Sequence, residues 1–308
     1  MKILVTGGAK FIASHIADAY IATRHKIVIM DNLITGDKQN LNPKAKFIEM
    51  DIRSEELGKI FAAEKFDVVN HHAAQMDVRK SVADPVFDAS VNILGGLNLL
   101  ENCKKHNVKK FIFASTGGAI YGEQDYFPAD EEHPTRPLSP YGISKLTIEK
   151  HLFYYHTIFH LPYVVLRYAN VYGPRQNPFG EAGVVAVFTT KMLQNSQPVI
   201  NGDGKQTRDY VFVGDVVRAN VKALALNSTD YINIGTGIET DVNELFRHLS
   251  KLTGKDMKEM HGPAKDGEQL RSVLENKKAK KVLDWSPTVS LEQGLKQTVE
   301  YLINRFKK

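Results

Sequence analysis

The sequence is short of cysteine: Cys103 stands alone among 308 residues. A single thiol excludes a disulfide framework within the chain and suits a reducing compartment. Long apolar runs are missing too. No stretch approaches the roughly 20 residues that span a bilayer, and Met1 leads directly into a strand-like run rather than a signal peptide. A cytoplasmic protein with no membrane partner is expected. Charge of one sign is scarce: the net charge is only +5, with no arginine-rich arm. Nucleic acid is therefore not expected as a partner, whereas a mildly positive cleft for an anionic ligand is compatible with this balance. Internal repeats and low-complexity tails are absent, and His71-His72 has no accompanying cluster of metal-ligand spacing, so no metal is expected.

Glycine is missing where one loop most needs it. TGGAKFIASH, residues 6–15, follows the apolar run KILV and opens an amphipathic stretch, giving the strand, turn and helix of a dinucleotide-binding unit. Lys10 and Ala13 occupy the second and third places of its G-x-x-G-x-x-G spacing. Gly7, Lys10, Phe11 and Ile12 would face a pyrophosphate held by backbone N–H groups at the helix start. If position 10 needs φ > 0, its side chain costs about 1–2 kcal/mol; the loop is then locally displaced and Lys10→Gly should tighten binding. Asp31 closes the next strand-like run about 20 residues on, where an acidic group accepts from ribose hydroxyls. Its charge repels a 2′-phosphate, which favours NAD over NADP. Asp51-Ile52 ends the third run, where an adenine edge is expected.

The first half continues in this alternation. Strand-like runs at 2–7, 26–31, 46–50, 67–71, 109–115 and 163–169 are separated by helical patterns near 11–24, 54–65, 84–106 and 140–160. Continuous apolar strands between helices read as an α/β fold with a doubly wound parallel sheet. After residue 170 the pattern loosens. NVYGPRQNPFGE (170–181) reads as irregular, 183–194 and 290–306 as helices, and YVFVGDVVRANVKAL (210–224) as strand and helix again. Two units are expected: residues 1–170, which take back a segment near 210–235, and a smaller α/β lobe over 171–308.

The most specific chemistry lies in YGISK, Tyr141 to Lys145, at a helix start marked by Ser139-Pro140. Spacing i, i+4 puts phenol and ammonium on one helix face. A tyrosine of ordinary pKa, about 10, is no base at neutral pH, but a neighbouring lysine cation favours the phenolate. Some residues earlier a strand ends in Ser115-Thr116, hydroxyls able to orient a substrate alcohol for Tyr141. HLFYYHTIF (151–159) has helical spacing suited to packing, and KKAKK (277–281) reads as a solvated helix face.

With TGGAKFIASH, DNL (31–33), HHAAQ (71–75), STGGAIYG (115–122), SPYGISK (139–145), LRYANVYGPRQ (166–176), GDGKQTRDYVFVGDVV (202–217) and NIGTG (233–237), the chain resembles the extended short-chain dehydrogenase/reductase family, and within it the UDP-glucose 4-epimerases. The resemblance implies a Rossmann-like NAD-binding domain and a sugar-nucleotide-binding lobe. It implies Tyr141 as base, Lys145 tuning it and binding the nicotinamide ribose, and Thr116 as the assisting hydroxyl, with Ser115 as the fallback. Asp31, Asn32, Asp51, Ile52, Ala73, Ala74, Gln75, Asn92 and Tyr168 would line the NAD. Asn170, Val184, Val185, Ile200 and Arg208 would hold the UDP moiety, with Arg208 on the phosphates. The implied reaction is 4-epimerisation of a UDP-hexose through a transient 4-keto sugar, in a homodimer joined by a four-helix bundle.

Related dehydratases carry an Asp-Glu pair beside the active-site Thr, and related decarboxylases a Glu. Here Gly117, Gly118 and Ala119 follow Thr116 and cannot exchange a proton, which favours epimerisation. The segment AKDGEQLRSVLE (264–275) matches the family's ribose-binding stretch, with Lys265 where Arg is usual and Glu268 where Asp is usual. Ser272 falls where a bulky Tyr in some relatives excludes N-acetyl groups. Its small side chain leads to the expectation that UDP-N-acetylglucosamine and UDP-N-acetylgalactosamine are accepted, or even preferred. The alternatives are another NDP-sugar-modifying member of the family, a dehydratase or decarboxylase, or a catalytically silent NAD-binding protein.

Overall fold

The computed structural model describes residues 1–179, 183–264 and 269–306. Its first half provides β1 (Lys2–Thr6), β2 (Lys26–Asp31), β3 (Lys46–Glu49), β4 (Val68–His71), β5 (Lys110–Thr116) and β6 (Tyr163–Tyr168). The second half adds β7 (Asn170–Tyr172), β8 (Ile200–Asn201), β9 (Thr207–Phe212), β10 (Asp230–Ile234), β11 (Glu239–Asp241), β12 (His261–Gly262) and β13 (Arg271–Ser272). Seven strands form one sheet in the order β10-β6-β5-β4-β1-β2-β3, and every pairing is parallel. This is the doubly wound α/β fold the alternating pattern implies.

The sheet is covered on both faces, which is why its inner strands are largely apolar, whereas β3 at the edge is partly exposed. Ile3, Val5, Ile27 and Ile29 pack under the Phe11–Ala22 and Val213–Ala225 helices. Leu4, Val28 and Met30 face the opposite layer, made by the Leu57–Glu64, Gly95–Lys105 and Pro140–Phe159 helices. Each such side chain contributes about 1.5–3 kcal/mol on burial. Ala13 is fully buried in the first core, so the third glycine place needs no more than a small side chain. Cys103 is buried in the second core, and burial pushes its thiol well above the usual range.

One expectation is refined and one corrected. Residues 84–106 are helical without a break from Pro85 to Lys105, but as a Pro85–Ala89 helix, a π turn at Ser90–Leu94 and a Gly95–Lys105 helix. Close approach governs the last of these: a Cβ on Gly95 would meet Ile52 Cδ1 at 2.7 Å, and one on Gly96 would meet Ile148 Cδ1 at 2.6 Å. The stretch expected to be irregular from residue 170 begins as β7, because Asn170–Tyr172 pair in parallel with Tyr210–Phe212 of β9.

Around β9 a second sheet gathers β7, β11 and β13, and β8 pairs with β12. The Val184–Leu193, Val242–Thr253 and Leu291–Phe306 helices close over it around Phe188, Leu245, Phe246 and Leu295. The chain returns to the first sheet through β10 at its edge. Trp285 also joins that core, its indole N–H donating to the Asp215 carbonyl at 2.8 Å. No described helix is long and apolar enough to cross a membrane.

Candidate active site

A cleft of about 480 Å³ opens where β5 and β6 end, between the first sheet and the β9 layer. Parallel sheets bind ligands at this edge. Ser139 starts the helix that brings in the candidate base: its side chain accepts from the Gly142 N–H at 3.2 Å, and Pro140 sets the first helical φ. A Cβ on Gly142 would lie 2.7 Å from the Ala119 carbonyl oxygen, so this helix start sits tightly on the Gly117–Ile120 turn. Tyr141 and Thr116 thereby line the same cleft.

One turn on, Lys145 is buried, and its Nζ donates to the Ala114 carbonyl at 2.9 Å. The ammonium lies 4.8 Å from the centre of the Phe113 ring and 5.9 Å from that of Tyr141. Burial, then the charge of Lys10, bring its pKa down to about 7, against the opposing pull of Asp88 and Glu149. Ser115 and Thr116 are not equivalent. Ser115 donates to Glu149 Oε1 at 2.6 Å, and Glu149 is itself paired with Arg167. Glycine at 117 is a packing requirement, since a Cβ there would strike Leu274 Cδ1 at 2.4 Å. Among the described residues lining the cleft there is no carboxylate and no histidine.

The candidate cofactor cradle lies beside this group. Gly7 has φ +69, and a Cβ on it would stand 2.8 Å from the Ala73 N, so this glycine is required twice over. Lys10 overturns the strain expectation: with φ −92 and ψ 174 it is ordinary extended backbone at the helix N-cap. Its Nζ donates to the Ala74 carbonyl at 2.9 Å, crossing between the two loops. The Phe11–Ala22 helix has no side-chain cap, and Phe11 and Ile12 line the cleft. Asp31 ends β2 nearly buried, accepting from the Ala9 N–H (3.1 Å) and the Leu33 N–H (2.8 Å).

Other residues assigned to the cofactor are engaged with one another. Asn32 donates to Asp51 at 2.9 Å, and hydrogen bonds from Arg53 hold the Asp51 carboxyl well below the carboxylate range. Ile52 is buried against Gly95. Asn92 grips the Gln75 backbone at both its N–H (2.9 Å) and its carbonyl (2.8 Å). The Tyr168 hydroxyl accepts from Asn220 at 2.8 Å and lies 3.1 Å from His72 Nε2, with burial raising its pKa. His71 is 2.8 Å from the Thr6 hydroxyl. An uncapped helix N-terminus, a glycine with no room for a Cβ and an acidic strand end suit the pyrophosphate and ribose of NAD.

On the far wall lie Asn170, Val184, Val185 and Arg208. The Val184–Leu193 helix also starts without a side-chain cap, at Gly183 in the cleft. Arg208 Nη1 donates to the Thr207 carbonyl at 2.7 Å. Two assigned residues stand back from the cleft: Ile200 is fully buried in the core around Phe188 and Phe246, and Ser272 is buried in β13 opposite Arg208. Lys265 and Glu268 lie outside the described residues. Sequence reasoning missed Gln176 and Gln269, which line the cleft. Gln176 is buried, its Oε1 without a partner among the described residues, and Gln269 donates to the Gly122 carbonyl. An isolated glutamine in a loop carries no sequence signal of this.

A UDP-glucose 4-epimerase from Thermotoga maritima, solved with UDP-glucose, is 49% identical and superposes with a TM-score of 0.98, covering 99% of this chain and 100% of that one. A UDP-glucose 4-epimerase from Thermus thermophilus, solved with NAD, is 42% identical with a TM-score of 0.93, covering 98% and 99%. A putative UDP-glucose 4-epimerase of Methanocaldococcus jannaschii is 48% identical over 302 residues, 98% of each chain. A model of the NAD dependent epimerase/dehydratase family matches residues 3–235. The chain belongs to that family, and within it to the UDP-sugar 4-epimerases, enzymes that take NAD as cofactor.

Proposed function

We propose that this enzyme interconverts a UDP-hexose and its C4 epimer, UDP-glucose and UDP-galactose among them, with Tyr141 as the base at the sugar O4. The observation that carries this reading is that Tyr141 and Thr116 line one cleft with no carboxylate among its described lining residues. Elimination of water or loss of CO2 needs a further proton-exchanging group, and Gly117, Gly118 and Ala119 offer none. NAD, when bound, supplies hydride acceptance from sugar C4 and hydride return to the other face. The chain's own residues do the rest. The Lys145 ammonium beside the Tyr141 ring favours the phenolate that takes the O4 proton, and Thr116 orients the hydroxyl.

The substrate diphosphate is assigned to the uncapped start of the Val184–Leu193 helix together with Arg208, a backbone and a guanidinium donor set suited to phosphate. Lys10, Asp31 and the Gly7 turn are assigned to NAD, and Lys265 and Glu268 to the sugar nucleotide. The small Ser272, in register with Arg208 though behind the cleft wall, is the basis for reading acetylated UDP-hexosamines as further substrates. Phe153, Tyr154, Ile158, Val82 and Val86 stay exposed on neighbouring helices, which supports a homodimer through these faces. Divided function is read as residues 1–170 for the cofactor and 171–308 for the sugar nucleotide, in a cytoplasmic enzyme.

Tyr141→Phe is the direct test. It should retain NAD, identified by chromatography of the nucleotide released on denaturation, and lose turnover by about 100-fold or more; unchanged turnover overturns the reading. Coupled assays of UDP-galactose against UDP-N-acetylgalactosamine test the acetyl reading, which no turnover of the latter would sink.

A further inference from the structure

Asp88 is fully buried between the Pro85–Ala89 and Pro140–Phe159 helices, and three side chains converge on its carboxylate. Oδ2 accepts from the Ser144 hydroxyl at 2.7 Å, and Oδ1 from Gln75 Nε2 at 2.9 Å and Asn92 Nδ2 at 3.0 Å. Ser144 precedes Lys145 on the helix that carries Tyr141. Gln75 ends the loop whose Ala73 abuts Gly7, and Asn92 belongs to the π turn. One carboxylate thus ties the base-bearing helix to the cofactor loop.

All three of these donors are neutral, so they do not cancel the Asp88 charge. In a buried setting such a charge acts strongly through space. We propose that Asp88 is a positioning residue for the epimerisation: it sets the Tyr141–Lys145 helix against the cofactor loop and supplies the negative charge that balances Lys145. This rests on the reading that Tyr141 and Lys145 perform the chemistry.

The groups facing Lys145 come from four directions. Lys10 stands at the start of the Phe11–Ala22 helix, Asp88 on the Pro85–Ala89 helix, and Glu149 and Tyr141 on its own helix, while His71 and His72 end β4. Burial keeps both imidazoles neutral, His72 down to about 3. Lys10 pushes Lys145 toward the neutral amine, and Asp88 and Glu149 oppose it. With Lys145 poised near 7, removing the Asp88 charge moves its titration to lower pH, and removing Lys10 moves it higher.

The test uses the NAD-loaded enzyme and three variants. Asp88→Asn keeps the shape and removes the charge. It should lower kcat by about tenfold with little change in KM, and move the alkaline limb of the kcat profile about one unit toward acid. Ser144→Ala keeps the charge and loses one donor, so its limb should stay in place while kcat falls by about threefold. An unmoved limb in Asp88→Asn reduces the residue to a structural strut and overturns the proposal. Should Asp88→Asn not fold, Lys10→Met measures the same balance from the other side. Its limb should move toward alkali, and an unmoved limb again overturns the proposal. Lys145→Ala separates the two levels: surviving turnover there sinks the catalytic reading, whatever Asp88 does.

Discussion

Ser115 donates its hydroxyl proton to Glu149 across 2.6 Å, inside a buried group that Arg167 completes. That commitment separates it from Thr116, although the two are neighbours at the end of β5. Thr116→Ala should therefore lower kcat by about 100-fold with stability nearly unchanged. Ser115→Ala should do the reverse, with a few-fold effect on kcat and a loss of about 1–2 kcal/mol as Glu149 loses a donor. Steady-state kinetics and denaturant titration of both variants check this, and a collapse of kcat in Ser115→Ala alone would exchange their roles.

Lys10→Gly should not tighten NAD. The residue lies at φ −92, so no strain is relieved, and a cation that bridges to Ala74 is lost. The expected result is a weakening of about tenfold, the scale of one charge-assisted contact. Calorimetry of enzyme stripped of nucleotide gives the answer, and tighter binding would contradict it.

Gly142→Ala is expected to hurt catalysis more than its single methyl suggests. The new Cβ would sit 2.7 Å from the Ala119 carbonyl, so the helix start must lift and carry Tyr141 with it. A small displacement of the base lowers kcat by about 10- to 100-fold. The secondary structure should be intact by circular dichroism.

Acid should destabilise the fold through His72. Its folded pKa is lowered to about 3 from 6.5 by burial and then by Lys145, so below 6.5 the unfolded chain takes up a proton that the folded chain refuses. Stability contributed at neutral pH is lost as the pH falls through the window from about 6.5 toward 3, at up to about 1.4 kcal/mol per unit. His72→Phe, which keeps a ring against Tyr168, should flatten the dependence of Tm on pH in that window; an unchanged slope would exclude His72 as its source.

Most strands of the first sheet were legible because they are buried on both faces and read as largely apolar runs. Val68–His71 and Tyr163–Tyr168 are examples. The base was legible because Ser139, Pro140, Tyr141 and Lys145 lie within one helix start. What stayed hidden depends on partners distant in sequence. Nothing local marks Asp88 as the junction of Gln75, Asn92 and Ser144. Lys10 was misjudged because the spacing suggested a glycine conformation, whereas the positive φ falls on Gly7. Asn170–Tyr172 looked irregular because β7 is short and paired only with β9.

The edge position of Asp230–Ile234 has a consequence for how the polypeptide is made. Tyr20 of the first helix donates to the Asn220 carbonyl, and Asn70 of β4 donates to the Asn220 side chain. Val213–Ala225 covers the apolar face of strands completed some 40 residues or more earlier, and Trp285 seals the same core. A growing chain thus carries Ile112, Val164 and Leu166 uncovered until those later residues arrive. Closing such separations comes late in folding, and early release invites aggregation. A fragment ending at residue 170 should accordingly be insoluble alone, and become soluble when residues 171–308 are supplied in the same cell.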